Sequence, residues 1–186
     1  MSELTNFRVA VLATDGFEES ELTEPVKALK DAGAEVTIVS LKPGHIQGVR
    51  HDLDKTVKVK VDRALHNARA EDFDALHLPG GTVNADSMRM VPEVQAFLRA
   101  MQESGKPIAA ICHAPWELVS ARLVPGRTLT SYHSIQDDIR NAGGSWVDRE
   151  VVEDGNWVTS RQPGDLPAFI QAMIKHFSLS VVTAHQ

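Results

Sequence analysis

The fold is decided by residues 7–41, which read FRVAVLATDGFEESELTEPVKALKDAGAEVTIVSL. They open with a short apolar run, Phe7 to Ala13, that ends at the turn signal TDG. A helical stripe of apolar residues follows, with acids at its start; Pro25 falls inside it and is expected in its first turn, where a missing N–H matters least. Glu35 to Leu41 is a second strand rich in β-branched residues. A strand, a helix and a strand with short connections predict a right-handed parallel βαβ unit.

The rest of the chain continues this alternation. The stretch VVEDGNWVTS predicts a hairpin that turns at Asp154-Gly155, and a small hairpin with a turn at His51 to Asp54 is plausible within residues 42–70. Alternating strands and helices predict a parallel sheet with helices on both faces. The other strands are predicted near residues 73–78, 107–111 and 128–131, and the other helices near residues 94–101, 115–122, 135–142 and 166–177.

Length and composition restrict the class of protein. At 186 residues the chain is long enough for one α/β core, and 42% hydrophobic with 24% charged residues is typical of a globular domain. A formal net charge of -6 gives no support for binding nucleic acid or an anionic membrane. One cysteine excludes an internal disulfide, and the N-terminus lacks a signal-peptide pattern. We expect a cytoplasmic protein that binds small molecules or protein surfaces.

Three polar segments follow predicted strands. They are Asp15 to Glu21, the turn Pro79-Gly80-Gly81, and Cys112-His113. Open α/β sheets bind ligands at the carboxyl ends of their strands, close to the point where the strand order reverses. We therefore expect these three segments to meet at one site.

Cys112 lies between an apolar strand and a helix, in the stretch KPIAAICHAPWELVS (residues 106–120). This is the strand-to-helix position of a nucleophile elbow, where nearby helix amides are expected to lower the thiol pKa. The alternative is a buried structural cysteine, since free cysteine is often buried as a small hydrophobe. His113 could act as a general acid or base, but adjacent side chains at an elbow are expected to diverge, so His113 would need a third group to orient it.

The other two segments allow a functional and a structural interpretation. Asp15 to Glu24 holds five acids, most of which are explained as a solvated helix N-terminus. One carboxyl beside a thiolate would become protonated and could move a proton. Gly80-Gly81 could bring backbone N–H groups to a substrate oxygen, or form only a turn. No metal-ligand spacing or phosphate-binding loop occurs, so no metal or cofactor is expected.

Five stretches occur in a fixed order along the chain: GFEESELTEP, DALHLPGG, GKPIAAICHAPWELVSA, LTSYHSIQDDIRNAGGSWVD and VVEDGNWVTSRQPGDLPAF. Together they resemble the PfpI branch of the ThiJ/PfpI superfamily over nearly the whole chain. The resemblance implies one domain over residues 1–186 with a flavodoxin-like three-layer α/β/α sandwich, assembled as a homodimer or a higher homo-oligomer.

The resemblance also implies a set of site residues. The nucleophile falls on Cys112 and the adjacent histidine on His113. The glutamate that contacts the thiol falls on Glu21, with Glu18 as the alternative. The oxyanion-hole amides fall on Gly81 and again on His113. An acid from the neighbouring subunit orients the histidine in this branch, and Asp86 is the candidate.

Two departures from the usual pattern concern substrate preference. Ala114 replaces the usual glycine after Cys-His and is followed at the helix start by the large ring of Trp116. His133 replaces the usual proline of TSYPS and could bring a second imidazole near the site.

We predict an enzyme that acts on reactive carbonyls, of the glyoxalase or deglycase type, through a Cys112 thiolate with Glu21 as acid and base. The substrate would be a small carbonyl compound or a glycated or peptide group. One alternative is an intracellular cysteine peptidase that uses Cys112 and His113 with an acid from a neighbouring subunit. Another is a redox-sensing stress protein whose Cys112 is oxidised.

Overall fold

The computed structural model describes residues 3–183 and the side chains of residues 3–180. Its main sheet has seven strands in the order β11-β12-β8-β7-β1-β3-β6. All neighbouring pairs are parallel except β11 with β12. The strands of this sheet are β1 (Arg8–Leu12), β3 (Glu35–Ser40), β6 (Arg63–Ala64), β7 (Ala75–Leu78), β8 (Ile108–Ile111), β11 (Val151–Asp154) and β12 (Trp157–Ser160).

Helices cover both faces of this sheet. Apolar side chains of α1 and α6 pack on one face and those of α2 to α5 on the other, which gives three layers. The parallel strands β7 and β8 are buried along their whole length, as expected for strands covered on both faces. The helices are α1 (Glu19–Asp31), α2 (Thr82–Arg89), α3 (Pro92–Glu103), α4 (Pro115–Ser120), α5 (Gln136–Asn141) and α6 (Leu166–Thr183).

Two smaller sheets flank the main one. One pairs β9 (Thr128–Leu129) with β10 (Ser145–Trp146). The other has three strands in the order β2-β4-β5, of which β4 and β5 form the predicted hairpin. These strands are β2 (Phe17–Glu18), β4 (Gly44–Arg50) and β5 (Asp54–Val61). Because β2 continues from the end of β1, it brings the hairpin to the carboxyl end of the main sheet.

The predicted flavodoxin-like architecture is confirmed, with two local differences. Helix α2 was not predicted, because its sequence TVNADSMR is mostly polar and follows two glycines. Pro25 lies in the second turn of α1 rather than in its first. No helix in the described range is long and apolar enough to cross a membrane.

Candidate active site

Cys112 occupies the sharp turn between β8 and α4. Its φ is +64°, in a region that residues other than glycine rarely adopt. The turn is held on both sides: the Cys112 N–H donates to the Ser160 carbonyl at 3.1 Å, and the Cys112 carbonyl accepts from the Tyr132 N–H at 2.8 Å. The predicted elbow geometry is therefore present, and the cysteine itself carries the backbone strain.

The thiol of Cys112 lies against the imidazole of the next residue. Cys112 Sγ and His113 Nδ1 are 3.3 Å apart, and both side chains are buried. The expectation that these two side chains diverge is wrong. The left-handed φ of Cys112 is the reason, because it takes the chain out of the extended conformation in which successive side chains point to opposite faces.

His113 is packed among other rings. Tyr132 stacks on it with ring centroids 4.7 Å apart, and Trp116 meets it edge-on at 5.6 Å. His133 packs on Tyr132 with ring centroids 4.4 Å apart, so a second imidazole does lie near the site. Burial lowers the pKa of His113; Asp52 opposes that shift and His133 adds to it. The ring is therefore neutral at rest and able to accept a proton.

Glu21 lies in the first turn of α1 and is fully buried. Its Oε2 accepts the N–H of Gly80 at 2.9 Å. A Cβ at Gly80 would contact the same Oε2 and would lie 2.7 Å from Cys112 Cβ, so the carboxyl and the thiol approach Gly80 together. Burial raises the pKa of Glu21 to about 8, which keeps the carboxyl protonated at neutral pH.

The backbone of Glu21 is fixed by a histidine that the sequence reading overlooked. Pro25 has no N–H to donate to the Glu21 carbonyl one turn earlier. Nε2 of the buried His77, on β7, donates to that carbonyl at 2.9 Å instead. Burial lowers the pKa of His77 to about 4, so it stays neutral. Pro25 and His77 together tie the start of α1 to the centre of the sheet.

The amides predicted for an oxyanion hole lie at the sulfur. The backbone N–H groups of Gly81 and His113 both lower the pKa of the Cys112 thiol. Gly81 has a φ of +94°, and a Cβ there would lie 2.7 Å from the backbone nitrogen of Glu18. Only glycine therefore fits at this position. That these amides hold an oxyanion stays a prediction.

The net change in the pKa of the Cys112 thiol is opposite to the change expected from the sequence. Burial and the negative charge of Glu21 raise its pKa well above the ordinary value and outweigh the two amides. The expectation of a lowered thiol pKa, based only on the start of a helix, is wrong. Two acidic groups in direct interaction titrate as a pair, so the proton of the thiol and that of the carboxyl are linked.

A cavity of about 450 Å³ opens over these groups. Within the described part of the chain, no lysine or arginine lines it, and no group of three or more histidine, cysteine or acidic side chains is placed to hold a metal ion. The cavity is therefore rich in carboxyl groups and imidazoles. Its lining is Glu18, Glu21, His51, Asp52, Gly81, Thr82, Cys112, His113, Tyr132, Ser134 and Pro163.

The remaining predicted acids occupy different places. Glu18 lines the cavity and accepts the His51 N–H at 2.9 Å, and burial raises its pKa. Asp86 lies on the exposed side of α2 and is not among the residues that line the cavity of its own chain. Its assignment as an acid supplied to a neighbouring subunit stays a prediction. Trp116 packs behind His113 and does not line the cavity.

Sequence reasoning missed several polar residues around the site. Asp52, Thr82 and Ser134 line the cavity beside His113. Asn84 is fully buried, donates to the carbonyls of Pro79 and Gly80 at 3.1 Å each, and accepts the Thr14 N–H at 2.7 Å. It fixes the Pro-Gly-Gly loop beneath the thiol. Asn84 could have been found from the sequence as a polar residue at an inward-facing position of α2. That inference requires α2 to be predicted, and it was not.

Comparison with known proteins agrees with the resemblance in the sequence. Deglycase PfpI of Pyrococcus furiosus is 44% identical over 168 residues, 90% of this chain and 98% of that protein. General stress protein 18 of Bacillus subtilis is 42% identical over 164 residues, 87% of this chain and 92% of that protein.

The fold comparison leads to the same group of proteins. The crystal structure of DJ-1beta of Drosophila melanogaster superposes with a TM-score of 0.85 at 32% identity, covering 94% of this chain and 91% of that one. The model of the DJ-1/PfpI family matches residues 7–176. Because the family model matches most of the chain and these relatives share its sequence and fold, the chain belongs to the DJ-1/PfpI family.

Proposed function

We propose that the chain is a cofactor-independent enzyme that converts small 2-oxoaldehydes, such as methylglyoxal, into 2-hydroxy acids. The observation that carries the proposal is the pairing of Cys112 with Glu21, a buried carboxyl with a pKa of about 8, on the floor of the cavity. The name of the Pyrococcus furiosus relative, Deglycase PfpI, supports chemistry on carbonyl adducts.

The raised pKa of the thiol defines the first step. Cys112 is activated at the moment of attack, by transfer of its proton to His113 Nδ1 at 3.3 Å, rather than held as a permanent thiolate. The sulfur adds to the aldehyde carbon. The aldehyde oxygen becomes an oxyanion within reach of the Gly81 and His113 amides and takes the proton of Glu21, which gives a hemithioacetal.

Glu21, now ionised, can act as a base. It removes the hydrogen from the former aldehyde carbon, the electron pair moves toward the neighbouring ketone, and the imidazolium of His113 protonates that oxygen to give an enediol. Glu21 then gives its proton to the former ketone carbon. At the same time the hydroxyl group on the sulfur-bearing carbon gives its proton to His113, and a 2-hydroxy thioester results. Water then attacks the thioester carbon and gives one proton to Glu21, while the imidazolium of His113 protonates the departing sulfur. This step releases the 2-hydroxy acid and restores the thiol, the neutral ring and the protonated Glu21. The aldehyde carbon is oxidised and the ketone carbon reduced, so the step needs no external oxidant or reductant.

Charge favours an uncharged substrate. The cavity is lined by the carboxyl groups of Glu18 and Asp52 in addition to the protonated Glu21, and none of its described lining residues is a lysine or an arginine. A substrate carboxylate would therefore be repelled and would find no cationic partner. We expect kcat/KM for methylglyoxal to exceed that for glyoxylate by at least tenfold.

The decisive experiment measures lactate from methylglyoxal without glutathione. The wild-type protein should form lactate, and Cys112→Ser should reduce the rate to background, while a surface variant such as Glu103→Gln should match the wild type. Lactate formation that is equal in Cys112→Ser and the wild type would refute the proposal.

A second candidate is a cysteine peptidase, favoured by the 3.3 Å contact between Cys112 and His113. Amide hydrolysis additionally requires His113 to protonate a poor leaving group. Cleavage of denatured casein that depends on Cys112, without lactate formation, would favour this candidate. A redox sensor is less well supported, because the buried Cys112 thiol with its raised pKa reacts slowly with peroxide.

A further inference from the structure

His113 is contacted on its outer nitrogen by two hydroxyl groups of its own chain. Thr82 Oγ1 lies 3.4 Å and Ser134 Oγ lies 3.3 Å from His113 Nε2. Nδ1 on the opposite side of the ring faces the thiol. The ring therefore lies between a sulfur and a hydroxyl pair.

The Thr82 hydroxyl is in turn held by an acid. Its Oγ1 donates to Asp52 Oδ2 at 2.7 Å, and the backbone N–H of Thr82 donates to Asp52 Oδ1 at 2.9 Å. Asp52 comes from the tip of the β4-β5 hairpin, where His51 and Asp52 have φ values of +52° and +62°. Consecutive positive φ values are typical of a tight type I′ turn, which fixes the carboxyl at the edge of the cavity.

The direction of these hydrogen bonds favours one tautomer of His113. A threonine hydroxyl has one proton, and an ionised carboxylate can only accept. Since Thr82 gives its proton to Asp52, it can only accept from His113, and this contact is a hydrogen bond only in the tautomer with the ring proton on Nε2. In a neutral ring Nδ1 is then unprotonated and faces the Cys112 thiol, ready to take its proton.

We propose that Asp52, acting through the Thr82 hydroxyl, is the positioning acid of His113 within the same chain. It holds the ring in the tautomer that accepts a proton from Cys112 and stabilises the imidazolium that results. The inference rests on the proposed role of Cys112 as a nucleophile, but it does not depend on the identity of the substrate.

Other groups around His113 cannot replace Asp52. His133, beyond Tyr132, lowers the pKa of His113 and opposes the charge that forms. Cys112 is the proton donor, and the hydroxyl of Ser134 brings no charge. Glu18, Glu21 and His51 also line the cavity, but none of them has a hydrogen bond to the imidazole.

A simpler interpretation is that Asp52 only caps the first turn of α2. The two interpretations differ for Thr82→Val, which removes the hydroxyl but keeps the backbone N–H and the shape. Thr82→Ser keeps the hydroxyl and should restore the relay. If Asp52 acted only as a cap, neither substitution would change the titration of His113.

The experiment is a nitrogen-15 NMR titration of His113, paired with the pH profile of Cys112 alkylation by iodoacetamide, both without a carbonyl substrate. In the wild type and Thr82→Ser the neutral ring should carry its proton on Nε2. Asp52→Asn and Thr82→Val should lower the His113 pKa and slow alkylation at neutral pH three- to tenfold. Asp54→Asn, on the same hairpin but outside the cavity lining, is the matched control.

Two results would overturn the proposal. One is an unchanged His113 titration in both Asp52→Asn and Thr82→Val. The other is a change produced by Asp86→Asn instead, which would assign the acid to a neighbouring copy. Because no carbonyl substrate is used, failure here is separate from failure to form lactate.

Discussion

Two buried glutamates lie near the elbow at Cys112, and a comparison of them shows what a raised carboxyl pKa does and does not indicate. Glu21 and Glu117 are both fully buried, and burial raises the pKa of both. Glu21 accepts a hydrogen bond from Gly80 and interacts with Cys112. Within residues 3–180, whose side chains the structure describes, neither oxygen of Glu117, in α4, has a hydrogen-bond partner, and Glu117 is not among the residues that line the cavity.

The difference shows that burial alone does not identify a catalytic acid. Desolvation supplies the raised pKa in each case. Function additionally requires a reacting neighbour, an opening to substrate and a fixed orientation. Glu21 has all three, since its side chain meets the thiol and its backbone is held by His77. Each prediction below alters one side of this comparison.

A large loss of activity is expected from Gly80→Ala, which disturbs the close approach of Glu21 to the thiol. The added methyl group would collide with Glu21 Oε2 and lie 2.7 Å from Cys112 Cβ. We expect lactate formation to fall about 100-fold, because misplacing reacting groups by about 1 Å costs about that factor. Gly164→Ala is the matched control, since its nearest neighbour would be 3.9 Å away. A folded Gly80→Ala variant with the wild-type rate would contradict the account.

Glu117→Met should stabilise the protein. The substitution replaces two buried oxygen atoms that have no partner by an apolar side chain of similar length. We expect the free energy of unfolding at pH 8 to rise by about 1–3 kcal/mol, measured by urea denaturation. The exposed Glu103→Met should change it by less than about 0.5 kcal/mol. A clear loss of stability in Glu117→Met would show that these oxygens are satisfied after all.

The two glutamates should also control how stability depends on pH. The folded state keeps the Glu21 proton up to about 8, whereas the unfolded state releases it near 4.5, so stability falls as the pH rises between these values. Glu117 acts in the same direction. The pKa of His77 is lowered from 6.5 to about 4, so His77 has the opposite effect on stability, but only below pH 6.5.

The window from pH 6.5 to 8 therefore isolates the carboxyl groups. Each protonated buried glutamate should contribute a decrease of about 1.4 kcal/mol per pH unit in the free energy of unfolding. Glu117→Gln should remove its share of that slope in denaturation curves collected across the window. A slope unchanged in Glu117→Gln would mean that Glu117 is ionised in the folded state.

The smallest effect concerns the hydrogen bond from His77 to the backbone carbonyl of Glu21. Glu117 has no counterpart of this bond. His77→Leu leaves the Glu21 carbonyl without its donor and should cost about 1–3 kcal/mol. In a Pro25→Ala background a backbone N–H becomes available at position 25, so the same substitution should cost about 1 kcal/mol less. A double-mutant cycle measures this coupling, and a value of zero would remove the proposed link between Pro25 and His77.

The sequence predicted those features that depend on local pattern. The apolar run before Cys112 and the helix after it placed the elbow, and the alternation of strands and helices predicted the sheet. The acids after β1 and the Pro-Gly-Gly turn were correctly expected near the thiol. The family resemblance then selected Glu21 from several acids of similar appearance.

What the sequence could not supply depends on contacts between distant segments. Asp52 reaches Thr82, beside His113, only because β4 pairs with β2, which no local pattern indicates. The contact between Cys112 and His113 depends on a positive φ that cysteine seldom adopts. The thiol pKa was predicted from the start of the following helix alone, whereas burial and Glu21 decide it.

The central claim is tested most directly by comparing Glu21→Gln and Glu117→Gln in glutathione-free lactate formation from methylglyoxal, per mole of folded protein. Both substitutions keep the shape of the side chain and remove a buried, proton-bearing carboxyl. The account predicts that Glu21→Gln loses 100-fold or more, whereas Glu117→Gln stays within threefold of the wild type. Equal rates in the two variants, or a Glu21→Gln enzyme that retains more than a tenth of the wild-type rate, would contradict it.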